Sequence, residues 1–325
     1  MSRIIYVPLE HIDGRYTVHM DRDIMEYFVN NDIEFIKIMP DLKAAPLPEG
    51  CFLNAAFTSK FKANQLMMIA DLYEQDLIRD DDRFFFSDIW FPGIESIAYM
   101  NYFHKKTAKI TGIIHAGSFT DTDFVRDLER WAKNFEDIVF DISDTIYCAS
   151  NFIRDDIIQK RMVDPSKFVV SGLPVDYETL GCYDTSRKAD RVIFNGRICD
   201  EKQPHLFDKL ADRVSEVLGR TDIEFVKTQD LGLNKDQYYQ LLAESKCVVS
   251  YALQENFGFG IAEAAYLGCT PVLPNRLVYP ELYDEKYLFD THEESVIMVC
   301  DALQQQYQDS VELNCDPLET WFGQR

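Results

Sequence analysis

The spacing of apolar residues changes repeatedly along this chain, and each change predicts an element. The short apolar run "RIIYVPL" (3–9) predicts a strand, and "RDIMEYFVNND" (22–32), with apolar residues three and four apart, predicts an amphipathic helix. Further strands are expected at "IEFIKIM" (33–39), "CFLNAAF" (51–57), "DRFFFSDIWF" (82–91, running into a loop), "KITGIIHAG" (109–117) and "DTIYCAS" (144–150). Helical spacing occupies "ANQLMMIADLYEQDL" (63–77), "GIESIAYMNYFH" (93–104) and "NFIRDDIIQKRM" (151–162). Strands alternating with helices predict a parallel sheet covered on both faces.

The same rhythm restarts in the second half. Strands are expected at 191–197, 223–228, 246–252 and 270–274, with helices at 204–219, 235–245 and 260–268. Residues 172–190, rich in Gly, Pro, Asp and Ser, predict a linker. The expectation is α/β, with a Rossmann-like domain over 1–172 and a second over 173–305, each presenting the carboxyl ends of its strands to ligands.

Composition narrows the classes. A chain of 325 residues has length for two domains, and 46% hydrophobic residues supply two cores. Its 33 basic and 55 acidic residues leave a net charge of −22, which argues against broad, sequence-independent nucleic-acid binding. The acidity is spread over both halves, and a local basic cleft is compatible with it. The densest basic cluster, His104 to Lys109, reads as a solvated helix face or as a phosphate patch. No apolar run approaches the ~20 residues that span a bilayer, and the first residues lack the pattern of a signal peptide. Eight scattered cysteines without a CxxC pair predict reduced thiols and a cytoplasmic protein, in the host cytoplasm if viral. The "DTD" at 121–123 imitates a metal-binding triplet, but Thr120 or Asp121 capping the helix that follows is the expected role.

Candidate chemistry concentrates in "QENFGFGIAEA" (254–264), where two glutamates eight positions apart bracket Gly258 and Gly260. A strand runs into this loop and a helix leaves it. Glycines there let backbone approach a ligand, and the helix start favours an anion. For the glycine pair alone, a tight strand-to-helix turn with ordinary glycines is the preferred reading. The dinucleotide fingerprint G-x-G-x-x-G/A is excluded by Glu263 at its third small position.

"ENFGFGIAEA" followed by "LGCTPVLP" resembles the E-x7-E signature of retaining, nucleotide-sugar-dependent glycosyltransferases of the GT-B fold. "FNGRICDEKQP", "SNFIRDDI" and "VVSGLPVDYE" resemble further segments of that family in the same order, and the likeness covers roughly residues 109–282. The resemblance implies two Rossmann-like domains facing each other across a cleft, with 306–325 packing back on the first. It implies that Arg197 and Lys202 grip a donor diphosphate beside Gly196. Glu255 would then bind sugar hydroxyls, and Glu263 the ribose. The backbone of Asn256, Phe257, Gly258, Phe259 and Gly260 would face sugar and phosphate. His115 sits where the family often has a histidine facing the sugar, and reads equally as a core histidine. The resemblance implies retention through front-face attack, in which the leaving phosphate helps remove the acceptor's proton; the sequence identifies no carboxylate nucleophile for a double displacement. No cofactor and no essential metal are expected beyond the nucleotide-sugar donor.

The acceptor side is sketched more thinly. Gly14, Arg15, Asp88 and Trp90 are expected near the acceptor, the last in an exposed Trp90-Phe91-Pro92-Gly93 loop. Aromatics beside basic residues at 84–106 can stack a displaced base, and a buried strand with an amphipathic helix explains most of them without a ligand. The style of the chain is similar to phage enzymes that glycosylate hydroxymethylated bases in DNA, which makes DNA the first expected acceptor. A glycan, a lipid-linked sugar or a small molecule is the alternative, and a non-catalytic nucleotide-sugar binder or GT-B-like epimerase the alternative of another class. No protein partner and no membrane insertion are predicted.

Overall fold

A computed structural model describes residues 2–12, 15–42, 53–123, 125–305 and 309–323. In the first half, strands β1 (Ile4–Val7), β2 (Phe35–Lys37), β3 (Arg83–Phe86), β4 (Lys109–Ile114), β5 (Thr145–Cys148) and β6 (Phe168–Val170) alternate with helices α1 (Tyr16–Asn30), α2 (Ala55–Glu74), α3 (Glu95–His104), α4 (Glu129–Ile142) and α5 (Asn151–Lys160). In the second half come α6 (Tyr177–Leu180), β7 (Ala189–Phe194), α7 (Pro204–Leu218), β8 (Glu224–Lys227), α8 (Lys235–Ala243) and β9 (Ser245–Val249). They are followed by α9 (Phe259–Tyr266), β10 (Thr270–Pro274), α10 (Tyr279–Leu282), β11 (Leu288–Phe289), α11 (His292–Gln304) and α12 (Pro317–Phe322).

The described strands form two wholly parallel sheets, ordered β2-β1-β3-β4-β5-β6 and β11-β10-β9-β7-β8. The chain divides into one unit of residues 1–174 with 316–325, and another of 175–315. Each sheet reverses its strand order once, between β1 and β3 in the first unit and between β7 and β9 in the second. Such switch points open a crevice at the carboxyl ends of the strands.

Parallel strands covered on both faces need apolar residues at every position. Accordingly Phe84, Phe85 and Phe86 of β3 are all fully buried. Phe84 and Phe86 join one core beneath α2 and α3. Phe85 points to the other face, where its ring lies 4.6 Å from that of Phe322 and 5.4 Å from that of Trp321, both on α12. The entry to β3 is pinned by Arg3, whose Nε and Nη2 donate to Asp82 at 3.0 and 2.7 Å.

Several expectations are corrected. The strand anticipated at 51–57 is the start of α2. Asn54 Oδ1 accepts the Phe57 N–H at 3.1 Å, so a cap overrides a short apolar run; Cys51 and Phe52 lie outside the described residues. The helix anticipated directly after Thr120 and Asp121 starts regular α-geometry only at Glu129, and Asp123 Oδ1 takes the local N–H of Val125. Thr120 is buried, while Asp121 accepts from Lys160. Residues 175–190 are not a free linker but belong to the second unit and contain α6. Residues 309–315 also stay with that unit, through Ser310 to Tyr266 and Leu313 to Tyr177. The basic cluster is no helix face, for α3 ends at His104, Lys105 is left-handed, and Lys106 pairs with Asp76 at 2.8 Å. No helix among the described residues is long and apolar enough to cross a membrane.

Truncating Phe85 removes contacts to two helical aromatics and leaves a cavity between sheet and α12. Phe85→Ala is expected to lower unfolding free energy by about 3–5 kcal/mol, read by denaturant titration. A loss below about 1 kcal/mol would mean that α12 does not seat on the sheet.

Candidate functional site

At the switch point of the second sheet, β7 ends at Phe194 and β9 at Val249, and each hands the chain to a loop at the carboxyl edge. Asn195, the first residue after β7, crosses the gap. Its Nδ2 donates to the Gly260 carbonyl at 2.6 Å and to the Tyr238 hydroxyl at 3.2 Å. That contact needs a residue without Cβ, since a methyl group on Gly260 would lie 2.9 Å from Nδ2. Gly258, at φ +85°, opens α9 in a left-handed conformation that other residues adopt only under strain. The two glycines therefore let the chain turn sharply and bring the positive end of α9 against the β7 loop.

The side chains that converge there carry opposite charge. Lys202 Nζ donates to the Gln254 carbonyl and lies 3.3 Å from Glu255 Oε2, with both side chains mostly buried. Gly196, Lys202, Glu255, Gly258 and Gly260 line one recess of about 60 Å³, together with Asn195, Ser250 and Tyr279. Ser250 and Tyr279 share a 2.8 Å hydroxyl contact, and burial, reinforced by Glu255, pushes the Tyr279 phenol well above its usual range. Arg276 braces the loop by donating to the carbonyls of Tyr251 and Ala252 at 2.9 and 3.1 Å. An ammonium, a carboxylate and a helix N-terminus in one recess can hold an anion next to a hydroxyl-rich group.

The other expected residues fall beside this cluster. Asn256 N–H donates to Glu255 Oε1 at 3.2 Å, which orients that carboxylate. Phe257 is buried, its ring 5.0 Å from that of Phe259, so the two anchor the loop by packing. Arg197 does not line the recess; its side chain is 53% exposed and pairs with Glu201. Glu263 is buried and holds protein partners, with Oε1 accepting from Lys235 Nζ at 2.7 Å and from the Tyr239 hydroxyl at 2.9 Å. Lys235 also sits over the rings of Tyr239 and Tyr238, at 4.6 and 5.2 Å. Burial, and then the Glu263 charge, keep both phenols protonated.

In the first unit, three expected residues gather around Tyr16. Its ring is 5.5 Å from that of His115, and its phenol is raised by burial and by Asp88 against an opposing Arg15. His115 Nε2 lies 2.8 Å from the Ser87 carbonyl, at the carboxyl ends of β3 and β4. Gly14 lies outside the described residues. Trp90 is separate: its indole N–H donates to Glu136 at 3.1 Å, in a buried network with Ser118 and Arg161. The neighbouring loop is not fully exposed as expected, since Phe91 is buried against Phe86 at 5.1 Å.

Some residues of these clusters were not singled out from sequence. Asn195 had a signal, standing between a predicted strand and Gly196. Lys235 and Tyr239 share one face of α8 by their i, i+4 spacing, but nothing local ties them to Glu263.

No family model matches the chain. It is 34% identical over 101 residues to tRNA-queuosine alpha-mannosyltransferase of Drosophila melanogaster, covering 31% of this chain and 25% of that protein. The match thus spans about a quarter of the length of that curated relative. Among solved structures, sucrose-phosphate synthase from Thermosynechococcus elongatus is similar with a TM-score of 0.61 at 9% identity, over 94% of this chain and 90% of that one. A mutant of S. aureus TarM, in complex with fondaparinux, alpha-GlcNAc-glycerol and UDP, is similar with a TM-score of 0.51 at 16% identity, over 75% and 52% of the two chains. At these identities the likeness is one of fold, and the fold is GT-B: two Rossmann-like α/β units in tandem.

Adding a methyl at Gly260 should cost about 1–3 kcal/mol through its clash with Asn195. In a double-mutant cycle read by thermal unfolding, Asn195→Ala should recover part of the loss in Gly260→Ala. Strict additivity would show that the 2.6 Å contact does not demand glycine.

Proposed function

We propose that this chain is a retaining glycosyltransferase that moves a sugar from a nucleoside-diphosphate sugar to a hydroxyl on a modified base of a nucleic acid. The observation that carries the reading is the meeting of Lys202, Glu255 and the Gly258–Gly260 turn in one recess at a switch point. The likeness to tRNA-queuosine alpha-mannosyltransferase of Drosophila melanogaster and to the TarM complex containing UDP supports it.

In this reading Lys202, Arg197 and the start of α9 neutralise charge on the departing diphosphate. Charge development there is the main barrier, and fixed donors lower it. Arg197 would leave Glu201, an exposed pairing worth at most about 1 kcal/mol, to reach the phosphates. Glu255 accepts from sugar hydroxyls. Glu263 offers Oε2 to the ribose while Lys235 and Tyr239 hold Oε1. His115 contacts the sugar from the acceptor side. The acceptor oxygen bonds to the anomeric carbon as the bond from that carbon to the diphosphate oxygen breaks. The acceptor proton passes to a leaving phosphate oxygen, and attack on the same face retains configuration. The donor is the only small molecule required, with no cofactor and no essential metal. We place the reaction in the cytoplasm, in keeping with the buried thiols of Cys148, Cys247, Cys269 and Cys300.

The test is release of nucleoside diphosphate from a panel of nucleotide sugars, in EDTA, with queuosine-containing tRNA, hydroxymethylcytosine-containing DNA, or neither. One nucleic acid should stimulate release and become glycosylated. The DNA arm tests a hydroxymethylated pyrimidine and the tRNA arm a queuosine hydroxyl. Hydrolysis of a donor indifferent to both would move the acceptor to a glycan or small molecule, and no donor binding at all would remove the reading. Lys202→Ala and Arg197→Ala should each lower kcat on the order of 10²-fold. Glu263→Gln should weaken donor binding about tenfold, a difference of about 1.4 kcal/mol; unchanged affinity would sink the ribose role.

A further inference from the structure

A second recess lies in the first unit, at the amino ends of its strands, the edge opposite Asp88 and His115. It has a volume of about 500 Å³ and is walled by Arg83, Thr145, Tyr147, Thr320, Trp321 and Phe322 among others. That volume lies within the ~300–1,000 Å³ of small-molecule sites. The strand starts and the last turn of α12 close around it, so both ends of the unit's sequence contribute.

Two of its polar atoms are donors without acceptors. Arg83 Nε and Trp321 Nε1 are buried, and neither has a hydrogen-bond partner among the described residues. The Arg83 guanidinium sits 5.5 Å from the Phe322 ring, and its hydrogen-bonded titratable partner is the Tyr147 hydroxyl rather than a carboxylate. This contrasts with the other buried arginines of the unit: Arg3 is paired with Asp82 at 2.7 Å, and Arg161 with Glu136 at 3.1 Å. In a chain carrying 55 acidic side chains, a guanidinium at a cavity wall left without one is a conspicuous omission. A buried charge without a counter-charge is costly, and guanidinium remains protonated wherever it is placed. Two buried N–H donors without acceptors, beside a recess that threonine hydroxyls also line, match an oxyanion.

We propose that this recess binds a phosphoryl group, held by Arg83 and the Trp321 indole N–H, with Thr145 and Thr320 receiving the remainder of a small phosphate ester. The inference does not rest on the glycosyltransferase reading. Occupancy would bridge β3 and β5 to α12, so the ligand would stabilise the folded chain by mass action.

The experiment is thermal unfolding of the full chain titrated with inorganic phosphate or glucose 6-phosphate, against glucose and against KCl at matched ionic strength. A saturable rise in Tm is expected with a phosphoryl compound and not with glucose or KCl. A response to phosphate alone identifies the free ion as occupant, and a response to the ester alone identifies an ester; either supports the site. Arg83→Gln should raise the apparent Kd at least tenfold. Should that variant fail to fold, Trp321→Phe and Thr145→Val should each weaken binding severalfold. Lys202→Ala should keep the whole response, which separates this recess from the donor site. The proposal is overturned if neither phosphoryl compound exceeds KCl, or if the response survives Arg83→Gln and disappears in Lys202→Ala.

Discussion

One side chain of the second unit reaches across a gap that the sheet itself creates. Because strand order reverses between β7 and β9, the loops that follow them diverge, and Asn195 joins them again through the Gly260 carbonyl. The shape of the recess depends on that bond. It sets how close α9 comes to the β7 loop, and hence where its first turn points. Lys202 is held opposite Glu255 by its own contacts to the Gln254 carbonyl and the Glu255 carboxylate. Glycine at 260 is a steric requirement of this bridge, while glycine at 258 is a conformational requirement of the turn.

Charge in the recess is arranged on two levels. Lys202 and Glu255 hold each other beside the glycines, largely out of water, where their interaction is stronger than at an exposed surface. One helix turn deeper, Glu263 is fixed by Lys235 and Tyr239 and ties α8 to α9. The outer carboxylate is accessible to a ligand, and the inner one is partly consumed by structure. Arg197 lies outside the recess lining, half-exposed and paired with the largely buried Glu201.

Most of the alternation of strands and helices was legible because parallel strands are apolar throughout and their helices are amphipathic. "FFF" at 84–86 and "CVV" at 247–249 could hardly be anything but buried strand. The errors fell where a single polar contact decides. Asn54 turned an apolar run into a helix start, and the helix expected after Asp121 begins only at Glu129, with Asp123 bonded locally to the Val125 N–H. In the second unit, spacing pointed to the glycines and the glutamates that bracket them, and resemblance to the glycosyltransferase family pointed to Lys202. Neither could show that Arg197 turns to Glu201, or that Glu263 is held from α8, because those partners are chosen by tertiary packing. The recess at the foot of the first sheet was invisible for the same reason, with Arg83 and Trp321 separated by most of the chain.

The return of α12 to the first sheet has a consequence for how the molecule is made. Phe85 meets Trp321 and Phe322, residues more than two hundred positions later. A chain emerging from the ribosome in order presents β1 to β6, and then every element of the second unit, before it offers the aromatic pair that covers this face. Until then Phe85 lacks the Trp321 and Phe322 rings, while the second unit already has all of its described strands. Completion of the earlier unit thus waits on synthesis of the later one, and a helix that follows the second unit in sequence acts as the closing piece of the first sheet to be started.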